Sequence, residues 1–147
     1  MHTTILILHV LAATVWTGGH LILAVAVLPK ILKEKNIEGL LDFERNYEKI
    51  GMPALLIQIV SGLYLAYCFL PDLGQWFSFS THLSTHISIK LILLLLTFSF
   101  ALNARFRLIP HLSKGNNLKI FAFHIVSVTI ISILFVITGL SFRLGVI

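Results

Sequence analysis

Ile120–Leu140 reads IFAFHIVSVTIISILFVITGL, with no acid, lysine, arginine or proline and no alternation of apolar with polar residues. A helix needs about 20 predominantly apolar residues to cross the hydrocarbon layer of a bilayer, and this stretch supplies them. Three stretches of the same kind precede it, at about Thr4 to Leu28, Gly51 to Leu70 and Leu83 to Leu102. Continuous runs without period-two alternation exclude a sheet. Pro29, Pro53, Pro71 and Pro110 sit at or near the span ends, where a missing amide donor costs little. The expected fold is all-α, a four-helix transmembrane bundle. One domain is expected over residues 1–147, with helices of about 4–28, 51–70, 83–107 and 118–142. The first stretch does not read as a signal peptide, because it lacks a basic n-region and its apolar run is too long.

Composition agrees. Of 147 residues, 57% are hydrophobic and 12% charged. A soluble domain carries about 25% charged residues, so too few charges remain here to cover a water-facing surface. Cys68, the single cysteine, cannot pair within the chain, which removes a disulfide scaffold. The formal net charge of +5 is placed by topology, not by a nucleic-acid partner. Lys30, Lys33, Lys35, Arg45 and Lys49 lie between the first two spans, and Arg105, Arg107, Lys114 and Lys119 between the last two. The positive-inside rule makes both segments cytoplasmic and both termini periplasmic, in a multi-pass protein of the bacterial inner membrane. Glu34, Glu38, Asp42, Glu44 and Glu48 share the first segment, which reads as a short amphipathic surface helix with Leu40, Leu41, Phe43 and Tyr47 on its apolar side.

Ionisable residues inside spans are expensive and are functional suspects. Of seven histidines, His9, His20, His86 and His124 fall within spans. His9 and His20 share a face of the first helix, about 20° apart in azimuth and roughly 16 Å apart along its axis. Counting depth from the span starts pairs His9 with His86 near the outer surface and His20 with His124 near the inner one. His82 lies just before the third helix and reads more readily as a surface residue.

Two imidazoles facing each other at one depth suit haem b, held between neutral ring nitrogens in an apolar slot. Two haems per chain are expected on this reading. Trp16 lies on the histidine stripe, as a packed residue or an electron relay. Gly18 and Gly19 give close approach to a macrocycle or to a neighbouring helix. Lys90 near His86, and Arg105 and Arg107 on the inner side, are cations for propionates; Lys90 can equally snorkel, and the arginines serve topology in any case. Copper is the alternative, since imidazole suits it too. Thiolate and thioether donors are few: Met1, Met52 and Cys68. No HExxH motif and no carboxylate within a span supports a zinc hydrolase. Gln58, Ser61, Thr97 and Asn103 add polar groups, and Tyr64 and Tyr67 read as lining an outer quinone pocket or as aromatic-belt residues.

The run Leu8-His9-Val10-Leu11-Ala12-Ala13-Thr14-Val15-Trp16-Thr17-Gly18-Gly19, followed by Leu28-Pro29, resembles the first helix of the CopD-like copper-resistance membrane family. Phe43-Glu44, Tyr47, Ile50, Pro53-Ala54 and Gly62 are similar to the related HemJ-type protoporphyrinogen oxidases, and Lys90-Leu91 fits both. The first resemblance implies copper uptake or tolerance with periplasmic partners; the second implies haem binding and porphyrinogen oxidation. The stacked histidine pairs resemble a dihaem membrane cytochrome of the b561 type. The leading expectation is therefore a b-type cytochrome carrying electrons across or within the membrane. Its expected partners are lipid, a quinone or another redox protein, and a second copy in a homodimer. A copper permease is the alternative, and a HemJ-like oxidase a further one.

Overall fold

A computed structural model describes residues 2–114 and 117–145. Four helices carry the fold: α1 (His2–Glu34), α2 (Ile37–Phe69), α3 (His82–Leu112) and α4 (Leu118–Leu144). All four are long and apolar enough to cross a membrane. This is a multi-pass inner-membrane protein. At 1.5 Å per residue α1 and α2 each run to roughly 50 Å, well beyond a hydrocarbon layer of about 30 Å, so their ends project from it.

The helix ends differ from the sequence reading in an instructive way. α1 does not stop before Pro29 but passes through it to Glu34, by way of a π turn at Leu23–Val27 in which the Leu28 N–H reaches back to the Leu23 carbonyl. A second π turn, Ala104–Leu108, precedes Pro110 in α3. Each widened turn lies just before a proline, where the ordinary ladder cannot continue undisturbed. The acid-rich stretch is not a separate surface helix. It is the first part of α2, capped by Asn36, whose side chain accepts from the Gly39 N–H at 3.0 Å. Pro53 consequently lies inside α2, not near its start. Thr81 and Ser84 form a reciprocal capping box that starts α3.

α1 packs against α2 and α4, and α4 packs against α3. Among the described residues, α2 and α3 have no extended packing with each other. They are joined at one end by Arg105 and Glu48, 3.0 Å apart. The bundle is therefore an arc in the order α2, α1, α4, α3 with an open seam. In lipid, burial of apolar surface gives little net drive between helices, so close fit and polar links hold the arc. Tyr47 Oη donates to the Trp16 carbonyl at 2.9 Å, and Thr129 Oγ1, whose proton goes to the Ile125 carbonyl at 2.7 Å, lies 3.2 Å from the His20 carbonyl.

Packing is uneven along the bundle. At the Glu48–Arg105 end, Leu23, Leu28, Ile31, Leu40, Leu108, Leu112, Phe121 and Ile125 form a solid core, with Leu41 and Phe43 against it. Midway, Trp16, Leu55 and Val128 form a smaller cluster. Beyond that the four helices separate around a cavity.

Candidate functional site

The cavity is about 360 Å³ in volume. α2 between Leu55 and Phe69 forms one wall, and α3 between Leu83 and Leu94 the wall across the open seam. His9, Thr14, Trp16, Gln58, His86, Lys90 and Arg143 contribute to a lining that is otherwise apolar.

The helices fix the depth of each histidine. Thr17 Oγ1 donates to the Ser132 carbonyl at 3.5 Å, and Thr129 Oγ1 lies 3.2 Å from the His20 carbonyl. α1 and α4 are thus antiparallel with position 17 opposite 132 and position 20 opposite 129. On that register His9 lies opposite Leu140, while His86 meets Ser141, its Nε2 being 3.4 Å from Ser141 Oγ. His9 and His86 lie within about one residue rise, roughly 1.5 Å, of the same depth, and both line the cavity.

His20 and His124 do not match. His124 falls opposite position 25 of α1, about 7–8 Å along the axis from His20. Their rings also have different neighbours. His20 lies against Trp16, with ring centroids 4.4 Å apart, and edge-on to Tyr47 at 5.5 Å. His124 lies edge-on to Phe100 at 5.1 Å.

Each of the four rings is oriented through Nδ1. A backbone carbonyl can only accept, so Nδ1 carries the proton where it meets Trp16 O (His20, 3.0 Å), His82 O (His86, 2.7 Å) and Ile120 O (His124, 2.9 Å). His9 Nδ1 meets Ser61 Oγ at 2.9 Å; that hydroxyl donates its one proton to the Ile57 carbonyl and so accepts from His9. Nε2 is therefore the lone-pair nitrogen in all four.

The cofactor expectation is corrected here. Among the described residues no group of three or more His, Cys, Asp and Glu side chains could hold a metal ion. The His20–His124 pair expected to carry one haem is split in depth and in surroundings. His86, only 2% exposed, is enclosed by His82, Phe142 and Ser141. Neither two haem b groups nor copper as a bound cofactor is retained. The electron-transfer reading rested on those haems and is not carried forward.

The supporting residues have other work. Gly19 admits a side chain, not a macrocycle: a Cβ there would overlap the Tyr47 ring, and one at Gly51 would come within 2.8 Å of it. The two glycines form the slot in which Tyr47 crosses from α2 to α1. Nothing lies within 4 Å of a Cβ at Gly18. Trp16 is a packed residue, 7% exposed, in contact with Leu55 and Val128. Arg105 pairs with Glu48, and Arg107 is exposed with its carbonyl accepting from His111. Both lie at the end away from the cavity. Lys90 does face the cavity, its Nζ 3.8 Å from the place a Cβ at Gly139 would take. Tyr64 and Tyr67 do not line it; Tyr64 stacks on His2 with centroids 6.2 Å apart, and Tyr67 is exposed.

The sequence reading named Ser61 and Gln58 only as polar groups, without their roles, and did not identify other contributors. Ser61 orients His9, Ser141 meets His86, and Gly62 leaves room for His9, whose Cε1 would lie 3.0 Å from a Cβ there. Arg143 also lines the cavity. Gln58 Oε1 is buried there with no hydrogen-bond partner among the described residues. Only the helix register reveals these partners.

Fold and site together define a four-helix inner-membrane protein with a side-opening cavity lined by imidazoles and cations. The chain matches the family described as CopD, Copper resistance protein D, over residues 41–143, and it belongs to that family. The match takes in α3 and nearly all of α2 and α4, including His86, Lys90 and His124. It supports the copper-resistance resemblance and gives no support to the HemJ-type or b561-type ones. No curated protein and no solved structure matches the chain.

Proposed function

We propose that this protein handles copper as a passing cargo in the inner membrane, as a permease or resistance component. The observation that carries the reading is the family match over residues 41–143. Imidazole is a suitable copper donor; His9 lines the cavity with Nε2 as its lone-pair nitrogen, and His86 lies buried at the same depth with its Nε2 against Ser141. A donor set too small to retain a metal suits cargo, which must leave as readily as it enters. His9 is the nitrogen an entering ion meets, with Ser61 holding its ring, and His86 lies behind it.

The orientation belongs to the same proposal. With Lys30, Lys33, Lys35, Arg45, Lys49 and the Arg105–Lys119 cations inside, both termini and the cavity face outward. The test in cells is copper content after a copper challenge. Cells producing the wild-type chain should differ from cells producing His9→Ala by several-fold at equal protein level. Equal copper content in wild-type, His9→Ala and empty-vector cells would overturn the proposal.

A further inference from the structure

Lys90 is an ammonium set in the apolar wall of α3, inside the membrane. Such a group is costly there and is ordinarily paired. Among the described residues, no hydrogen bond or ion pair engages its Nζ. None of the acids can reach it. Glu34, Glu38, Asp42, Glu44 and Glu48 belong to the far end of α1 and the start of α2. Asp72 is used within its own turn, accepting from the Gly74 N–H and from Gln75 Nε2, each at 2.9 Å. Gly139 opposite gives Lys90 space and no counter-charge. A second cation, Arg143, lines the same cavity, and no acid does.

Apart from His9, Thr14, Gln58 and His86, the remaining walls are apolar, with Leu55, Ile59, Leu83, Ile87, Leu91 and Leu94 among them. At about 360 Å³ the space is at the lower end of the roughly 300–1,000 Å³ of small-molecule sites. It suits one acyl chain better than the paired chains of a phospholipid. The seam between α2 and α3 gives sideways entry from the bilayer.

We infer that this cavity binds a single-chain lipid with a carboxylate head, a long-chain fatty acid, with its head at Lys90 and its chain along the α2 and α3 walls. Arg143 adds to the field that draws the carboxylate in, while Lys90 makes the direct charge-assisted contact. The inference goes beyond the copper reading and does not depend on it, since binding is read with no metal present. A carboxylate at Lys90 would also remove the positive charge that an entering copper ion otherwise meets.

Trp16 lines the cavity and reports on it. The full chain carrying Trp76→Phe, which leaves Trp16 as its one tryptophan, is placed in nanodiscs of zwitterionic lipid. It is titrated with dibromostearate or with its methyl ester, bromine being a short-range quencher. The expected result is saturable quenching by the acid, with the neutral ester requiring at least about tenfold more. That is the difference expected of one hydrogen bond to a charged group. Lys90→Met should raise the half-point for the acid by a similar factor and leave the ester unchanged, and Lys90→Arg should keep the preference. Acid and ester quenching alike in the wild-type cavity would overturn the inference, and this comparison needs no Lys90 variant. So would unlabelled phosphatidylglycerol displacing dibromostearate as well as unlabelled stearate does, since that outcome makes the ligand a phospholipid.

Discussion

Replacing Gly19 by alanine should destabilise the bundle, while the same change at its neighbour Gly18 should not. Both substitutions remove glycine from the middle of α1 and gain the same helix propensity, about 0.5–1 kcal/mol. They differ in what the new Cβ meets. At Gly18 nothing lies within 4 Å, whereas at Gly19 the methyl would overlap the ring of Tyr47. That ring cannot yield freely, because Gly51 presses its other edge and its hydroxyl donates to the Trp16 carbonyl at 2.9 Å. Overpacking of this kind costs about 1–3 kcal/mol, and the gap between the two alanine variants should equal that penalty. Unfolding in mixed micelles, followed by circular dichroism as the denaturing detergent fraction rises, measures the gap. In a Tyr47→Ala background the penalty should vanish, so that Gly19→Ala and Gly18→Ala become equivalent. Equal stability of the two variants in the native background, or a penalty that persists without Tyr47, would refute this account of Gly19.

Two further outcomes follow from burial and from charge. His86→Ala should cost about 2–4 kcal/mol, because it empties a fully packed site between His82, Phe142 and Ser141, whereas half-buried His124→Ala should cost under about 1 kcal/mol; the same detergent titration decides between them. In a Cys68→Ser background, a cysteine at Ser80 should react with a membrane-impermeant maleimide added outside intact cells, and one at Lys35 should not; the reverse pattern would invert the proposed orientation.

The four spans were legible because a bilayer imposes one simple demand, an apolar run of sufficient length, and the sequence meets it four times. Helix ends were less legible. Hydropathy marks the hydrocarbon layer and not the hydrogen-bond ladder, so α1 continues to Glu34 and α2 begins at Ile37, outside the apolar runs. Pro29 was read as a stop because the sequence gives no sign of the π turn that carries the helix past it. The same blindness explains the histidines. Depth counted from the span starts matched His9 with His86, whose helices begin near one surface. It failed for His20 and His124 because α1 runs on well beyond His20, and the depth of its inner end was set by Thr129 meeting the His20 carbonyl. Gly19 was legible as a place of close approach, but what approaches is Tyr47, a residue distant in sequence that only the α1–α2 packing brings there.

Copper movement by the purified protein tests the central claim most directly. The full chain is reconstituted into liposomes that enclose a copper-responsive dye, and Cu(I) is presented outside under reducing conditions. The account predicts entry clearly faster than in protein-free liposomes, slowed several-fold by His9→Ala and unaffected by His124→Ala. Entry no faster than in protein-free liposomes would contradict the account.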